Sequence, residues 1–434
     1  METHGKRLRL FYSDVQGLER SKWLYGDWGG GKAAFCITVY PLTLDREILP
    51  VPGFQFDIGL PDVEAHLDVA SLRPGWDEDA VVGIADMDFR GKPCPLDPRE
   101  VLRRAVEPWE ERGMHPQLAF EFEFYLLEPD GEDGWRSIRT PGHRVYGTGP
   151  SVDPHGVIDE IVRAAIASGF YVESWGSEYD MAQYEVNIRY KDAIEATDEA
   201  FLFRLLAREV AAKRDLLATF IGRPFMDRGG SGLHVNMSFR REDGSNAFHD
   251  PASQDGMSEL ARRCLAGMLA HHVGMASIHA PHVNAYRRLR PDMLNGYWAN
   301  WGFDDRTVAI RIPPGRGETS RLEHRTADGA ANPYLSAAAI LHAARFGVEQ
   351  ELEPPPPQAP GEPPNTDVCI PASLDEALQR FEEDKELCEA LGPDLVTAHT
   401  ILKRAEWERY VAAVQDPGTE DVTDWELSYY LPFF

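Results

Sequence analysis

The sequence predicts an α+β protein of two domains, a strand-rich one over residues 1–96 and a larger mixed one over 97–434. Three observations carry that expectation. Residues up to about 96 hold strand-like runs, AFCITVYPL and AVVGIADMDF being the clearest. Five later segments alternate apolar and polar residues with the two-residue period of a strand. Amphipathic helical patterns run between and after them.

Taken in chain order, DPREVLRRAVEPWEERG opens a helix, with Asp97 as N-cap, Pro98 in the first turn and Glu100 three residues beyond the cap. The boundary between the domains is placed just before it. LAFEFEFYLL follows. Leu118, Phe120, Phe122, Phe124 and Leu126 share one face, and Ala119, Glu121, Glu123 and Tyr125 the other. Two acids roughly 7 Å apart on a partly dry face repel unless a metal ion, a proton or an arginine lies between them. QYEVNIRY then alternates Tyr184, Val186 and Ile188 with Glu185, Asn187 and Arg189. SGLHVNMSF alternates Leu233, Val235 and Met237 with His234, Asn236 and Ser238, and TVAIRIP sets Arg311 between Ile310 and Ile312. RLEHR sets Leu322 and His324 against Arg321, Glu323 and Arg325. EPPPPQAPGEPP, residues 353–364, is expected to be an exposed loop or linker. SLDEALQRFEEDKELCEAL and the region through ILKRAEWERYVAAV read as amphipathic helices.

If the five strands share a sheet, helices cover its apolar side and the other side is a cavity of carboxylates and guanidiniums. Carboxylates with one histidine are a hard, oxygen-rich ligand set suited to Mg²⁺ or Mn²⁺. Clustered arginines match phosphate and carboxylate groups. Metals beside arginines around a phosphate describe phosphoryl transfer. There is no GxxxxGK[ST] loop, no dinucleotide fingerprint and no G-x-S-x-G elbow, so any ATP is held without a P-loop. With 44 Lys and Arg against 71 Asp and Glu, a net charge of −27 argues against a nucleic-acid partner. The five scattered cysteines have no CxxC spacing and read as reduced thiols. No signal peptide or membrane span is expected, and the protein is expected in the cytoplasm.

FEFEFYLL, SEYDMAQYEVN, GGSGLHVNMS, NAYRRLRP, DDRTVAIRIP and RLEHRTADGAANPYLSAAAILHA, in this order, resemble motifs of the glutamine synthetase family. DVQGLERSK and LPDVEAHLDVASLRPGW resemble its N-terminal domain, so the likeness spans nearly the whole chain. The resemblance implies a small β-grasp-like N-terminal domain and a catalytic domain with a curved, mainly antiparallel sheet backed by helices. It implies ATP and two or three Mg²⁺ or Mn²⁺ ions per site, and stacked subunit rings (a dodecamer) with active sites shared between neighbours.

By the same resemblance, Glu123, Glu178 and Glu185 hold one metal, and Glu121, His234 and Glu323 the other. Arg306, Arg311 and Arg321 meet the ATP phosphates, with Asn236 and Ser238 also on the nucleotide side. Arg288 and Arg325 meet L-glutamate, with Gly230, His234 and Leu294 lining the substrate side. Arg306, Glu323 and Arg325 are the implied catalytic residues. The family chemistry activates the γ-carboxylate of glutamate by phosphorylation, and a nitrogen nucleophile then displaces phosphate.

The departures from the family decide the nucleophile. The flap glutamate that closes the ammonium site falls on Leu294 in PDMLNGYW. The ammonium-binding aspartate has only Asp57 as a counterpart, in a shortened loop. Asp305 stands where an amide is usual, Asn236 where a second histidine often sits, and Ala182 where glycine precedes Gln183. The adenylylation tyrosine motif is absent. The sequence therefore points to a small organic amine as nucleophile, giving a γ-glutamylamide. Leu294, with Trp298, Trp301 and Phe303 nearby, points to an apolar or aromatic monoamine over a polycation. Two alternatives stand beside this reading. One is a divergent glutamine synthetase in which Asp57 or Asp62 holds ammonium; the other is a non-catalytic scaffold.

Overall fold

The phenylalanine-lined face of LAFEFEFYLL sets the centre of the fold. The computed structural model describes residues 5–131 and 134–434. The first four residues of the expected N-terminal domain, with the start of the segment expected to lack a signal peptide, lie outside the described residues. The stretch is the middle of a long strand, Met114–Asp130, on which Phe120, Phe122 and Phe124 are buried.

That strand is the hub of a nine-stranded sheet. Across the sheet the order is Val172–Ser177, Gln183–Asp192, Met114–Asp130, Leu233–Arg241, Leu322–His324, Ile310–Ile312 and Trp301–Phe303. Gly134–Ser137 and Leu217–Thr219 also pair with the hub strand. All the pairings are antiparallel except that of Ile310–Ile312 with Trp301–Phe303. The five alternating segments thus share one sheet, which the sequence reading leaves as a condition.

Helices cover its apolar side. In the helix Ala193–Ala212, Phe203 meets Phe122 with ring centroids 5.0 Å apart. In the helix Pro98–Glu110, Trp109 lies 4.2 Å from Phe239. The helix Pro333–Glu349 packs behind both, with Tyr334 against Phe201. Burying such rings is worth about 1.5–3 kcal/mol each, so the aromatic layer fixes which face of the sheet is dry.

A separate seven-stranded sheet is drawn from residues 7–93, in the order Glu19–Leu24, Arg7–Ser13, Ala80–Phe89, Asp62–Leu67, Lys32–Cys36, with Arg73–Pro74 and Lys92–Pro93 also paired to Ala80–Phe89. AVVGIADMDF forms the strand Ala80–Phe89, as expected. AFCITVYPL differs. Its strand ends at Cys36 and a 3-10 turn covers Ile37–Val39, because Ile37 and Tyr40, three residues apart, are both buried and cannot share a strand face. The two sheets are joined through Arg99, whose guanidinium donates to Asp198 (2.8 Å) and to Asp68 (2.7 Å). Asp97 caps its helix as predicted, accepting from the Arg99 amide.

The proline-rich segment has no regular structure, but it is anchored. Trp301 donates from Nε1 to the Pro355 carbonyl, and buried Gln358 donates from its amide to the Trp301 carbonyl. After it, the predicted helical run is broken in two, Leu374–Glu383 and Lys385–Leu391, where Asp384 caps the second helix. No helix among the described residues is long and apolar enough to cross a membrane. All five cysteines are free.

Candidate active site

Strand register aligns the polar residues in rows across one face. Glu185 stands opposite Glu123; Asn187 and His234 flank Glu121; Asn236 stands opposite Glu323, and Glu323 opposite Arg311. Register follows from burial. A slip of one residue would turn the phenylalanines outward, so the hydrophobic face locks the acids into line.

Two groups of side chains come close enough to hold an ion. Glu121, His234 and Glu323 offer ligand atoms all within 4.8 Å of one another, and so do Glu123, Glu185 and His234. His234, 3% exposed, belongs to both. Its Nδ1 lies 3.2 Å from Glu121 Oε2, and its Nε2 lies 3.7 Å from Glu123 Oε1. That Nε2 is buried and has no hydrogen-bond partner among the described residues, as expected of an atom aimed at a ligand. Glu178, the third ligand expected with Glu123 and Glu185, stands outside both groups, although their charges reach it. With oxygen donors in excess, one imidazole and no thiol, the set fits Mg²⁺ or Mn²⁺.

The electrostatics agree. Burial, then the charges of Glu123 and Glu185, push the Glu178 carboxyl up to about 8. Burial, then Glu121 and Glu123, also raise Glu185. Burial opposes ionisation of Glu121, yet the hydrogen bonds with His234 and Asn236 outweigh it and hold this carboxyl down at about 2. For His234, burial and Arg325 act downward, but Glu123 and Glu121 prevail and its pKa rises. Acids this close ionise together only around a cation.

Arginines flank the acids. Arg311 Nη1 donates to Glu323 Oε2 (2.7 Å) and Nη2 to Asp304 (2.6 Å), while Arg325 pairs with the other Glu323 oxygen. Arg321 donates to Asn236 Oδ1 (2.9 Å), and the Asn236 amide donates to Glu121 Oε1 (2.8 Å). Ser238 lies two residues further along the same face, half-buried. Arg306 is exposed on the turn after Asp304, apart from this network. Arg288 is 3% exposed and donates to the carbonyls of Thr326 (2.9 Å) and Arg325 (3.0 Å). Gly230 makes room for it: a Cβ there would lie 2.7 Å from Arg288 Cγ and 2.5 Å from the Gly222 carbonyl.

Leu294 is 60% exposed on the turn between Arg290 and Asn295, whose side-chain amide caps the Arg288 carbonyl. The aromatics near it in sequence do not join it at the surface. Trp301 is 2% exposed in the core, Phe303 packs on it at 5.3 Å, and Trp298 is half-buried against Tyr297. Asp57 is exposed, and its carboxylate accepts from the Gly53 amide.

Sequence reading named Gln183 and Asn187 without giving either a role; the Gln183 side-chain amide donates to the Gly230 carbonyl (2.9 Å), and that of Asn187 donates to Glu185 (2.9 Å). Both share the parity of Glu185, which was the available signal.

Comparison with known proteins agrees with this geometry. The family described as glutamine synthetase, catalytic domain, matches residues 95–430. The chain is 32% identical to a glutamate–isopropylamine ligase of Pseudomonas sp, over 98% of this chain and 94% of that protein. It is also 32% identical to the γ-glutamylethanolamide synthetase GlnA4 of Streptomyces coelicolor, over 89% and 84%. The solved structure of a GmaS–ADP complex superposes with a TM-score of 0.81 at 27% identity, covering 98% of this chain and 97% of that one.

Proposed function

The chain belongs to the glutamine synthetase family and is an ATP-dependent carbon–nitrogen ligase acting on glutamate, and from that premise we propose that it joins the γ-carboxylate of L-glutamate to an organic amine, yielding a γ-glutamylamide, ADP and phosphate. The observation that carries the amine over ammonia is Leu294. An exposed hydrocarbon stands where the resemblance places the glutamate that closes over ammonium. A leucine supplies no charge to hold NH₄⁺, and it suits a substituent on nitrogen. Two relatives, one named for ligating isopropylamine to glutamate and one for making γ-glutamylethanolamide, favour the same reading.

In this reading Glu121, Glu123, Glu178, Glu185, His234 and Glu323 hold two or three Mg²⁺ or Mn²⁺ ions. Bound ATP supplies the phosphoryl group, and the metal ions supply the positive charge that neutralises it in transit. Arg306, Arg311 and Arg321 steady the phosphates, with Asn236 orienting Arg321 and Ser238 on the nucleotide side. Arg288, Arg325 and Gly230 form the floor on which glutamate is fixed. Phosphorylation turns a poor electrophile into a good one, the amine attacks the acyl carbon, and phosphate leaves. The expected assembly is a ring of subunits sharing sites.

The test is phosphate release by purified protein with ATP, Mg²⁺ and L-glutamate, across ammonium and a panel of amines, with the amide identified by mass spectrometry. Amine-dependent turnover well above that with ammonium is the expected result. Efficient glutamine formation with ammonium would replace this reading with that of a glutamine synthetase.

A further inference from the structure

We propose that Asp304 stands in for a nucleotide phosphate at Arg311, holding its guanidinium while the site is empty and yielding it when ATP arrives; the inference rests on the reading above that places Arg311 on the ATP phosphates. Arg311 lies between two carboxylates of opposite character. Its Nη1 donates to Glu323 Oε2 (2.7 Å) and its Nη2 to Asp304 Oδ1 (2.6 Å). The Glu323 side chain is 1% exposed, and its other oxygen is engaged by Arg325. That of Asp304 is 53% exposed, and Arg311 is the one side chain hydrogen-bonded to its carboxylate among the described residues. Glu323 is fixed, so Asp304 is the partner that a ligand can displace.

The backbone aims that carboxylate. Asp304 follows the strand Trp301–Phe303 at φ +49°, in the left-handed region that aspartate tolerates better than most residues do. Its amide donates to the Ile312 carbonyl (2.9 Å), one residue beyond Arg311, which ties the turn to the strand carrying the arginine. Asp305, next along, closes the turn itself, its carboxylate accepting from the Thr307 amide (2.8 Å) and hydroxyl (2.7 Å). Asp304 is left to face the arginines. Left-handed backbone that delivers a charged group to a binding cleft calls for a functional reason.

Metal binding is not that reason, since Asp304 belongs to neither group of side chains that could hold an ion. Its surroundings are cationic. The Arg311 hydrogen bond, then the charges of Arg311 and Arg306, hold its carboxyl below the ordinary carboxylate range against slight desolvation. Arg311 and Arg306, both assigned to the phosphates above, therefore act on one carboxylate, as they would on a phosphate in its place. A phosphate group carries more charge and more acceptor oxygens than a carboxylate, so it wins Arg311 in competition. An exposed ion pair is worth no more than about fivefold in an equilibrium constant, so Asp304 tunes nucleotide affinity without blocking the site. As ADP and phosphate leave, it takes the guanidinium back.

The test is the dissociation constant of ATP with Mg²⁺, and of adenosine, by titration calorimetry. The proteins are wild type, Asp304→Asn, Asp305→Asn, Arg311→Ala and the double variant Asp304→Asn, Arg311→Ala. Asparagine keeps the shape of aspartate and tolerates the same backbone, so Asp304→Asn removes only the charge. Expected is ATP bound about three- to fivefold more tightly by Asp304→Asn, adenosine unchanged, and no gain in Asp305→Asn. The gain should vanish when Arg311 is alanine. ATP binding unchanged or weakened in Asp304→Asn would overturn this role, as would an equal gain for adenosine, in Asp305→Asn or without Arg311. ATP bound by Arg311→Ala as tightly as by wild type would instead show that Arg311 does not meet the phosphates, and the role of Asp304 would fall with that reading.

Discussion

His234 is the residue on which the two acidic groups turn, one ring nitrogen facing Glu121 and the other Glu123. Alternation put it on a polar face with Asn236 and Ser238, and the family resemblance alone suggested it as a metal ligand. That it serves both groups was not legible, because parity gives a face and no distances. Glu323 was legible in the same way, set between Arg321 and Arg325 by alternation. Its carboxylate engages Arg311 and Arg325, so Glu323→Gln keeps acceptor oxygen for one of them and removes the charge. We expect the fold to survive, by circular dichroism, and kcat to fall by about 10²–10³. Ala182 is the opposite case, a residue in a conformation better suited to glycine. Ala182→Gly should raise stability by up to about 1 kcal/mol in urea unfolding, the relief of left-handed strain exceeding the added entropy of the unfolded chain.

Elements were legible where a period was long enough to count. The hub strand and its partners follow from alternation, and the helix at Pro98 from its cap. AFCITVYPL misled because an apolar run carries no period, and burial of both Ile37 and Tyr40 turned its end into a 3-10 turn. Trp301 misled for a related reason: nearness in sequence to Leu294 says nothing about which side of a three-residue strand faces the core. The hub strand makes a packing prediction. Phe122→Ala should cost about 3–5 kcal/mol, since Phe122 is 1% exposed and meets the rings of Phe203 and Phe220. The capped helix makes a pH prediction. Burial pushes Asp97 from 3.8 up to about 7, its hydrogen bonds from the Arg99 and Met87 amides only partly opposing this. The folded state then binds the extra proton, so this group's contribution to stability is fullest below about pH 4 and is lost as pH rises to about 7. Asp97→Asn keeps the cap and should flatten that part of the stability–pH profile measured by chemical unfolding.

At the scale of the whole molecule, the nine-stranded sheet and its covering helices place Glu121, Glu123, Glu185, His234, Glu323 and Arg311 on one face. The sequence carried the membership of that face; the pairing order that joins strands some two hundred residues apart belongs to tertiary structure. A cluster of acids short of counter-charge should be stabilised by its cation. Mg²⁺ or Mn²⁺ at a hundred times its dissociation constant should add about 2.7 kcal/mol, read as a raised Tm that Glu121→Gln reduces. The central claim is that the γ-carboxylate of glutamate is activated by ATP and captured by an amine. It is tested most directly by turnover of L-glutamate labelled with ¹⁸O in its γ-carboxylate, in the presence of ATP, Mg²⁺ and propylamine. The account predicts one ¹⁸O in the released phosphate and one retained in a γ-glutamylpropylamide. Unlabelled phosphate, or label transfer only when ammonium replaces the amine, would contradict it.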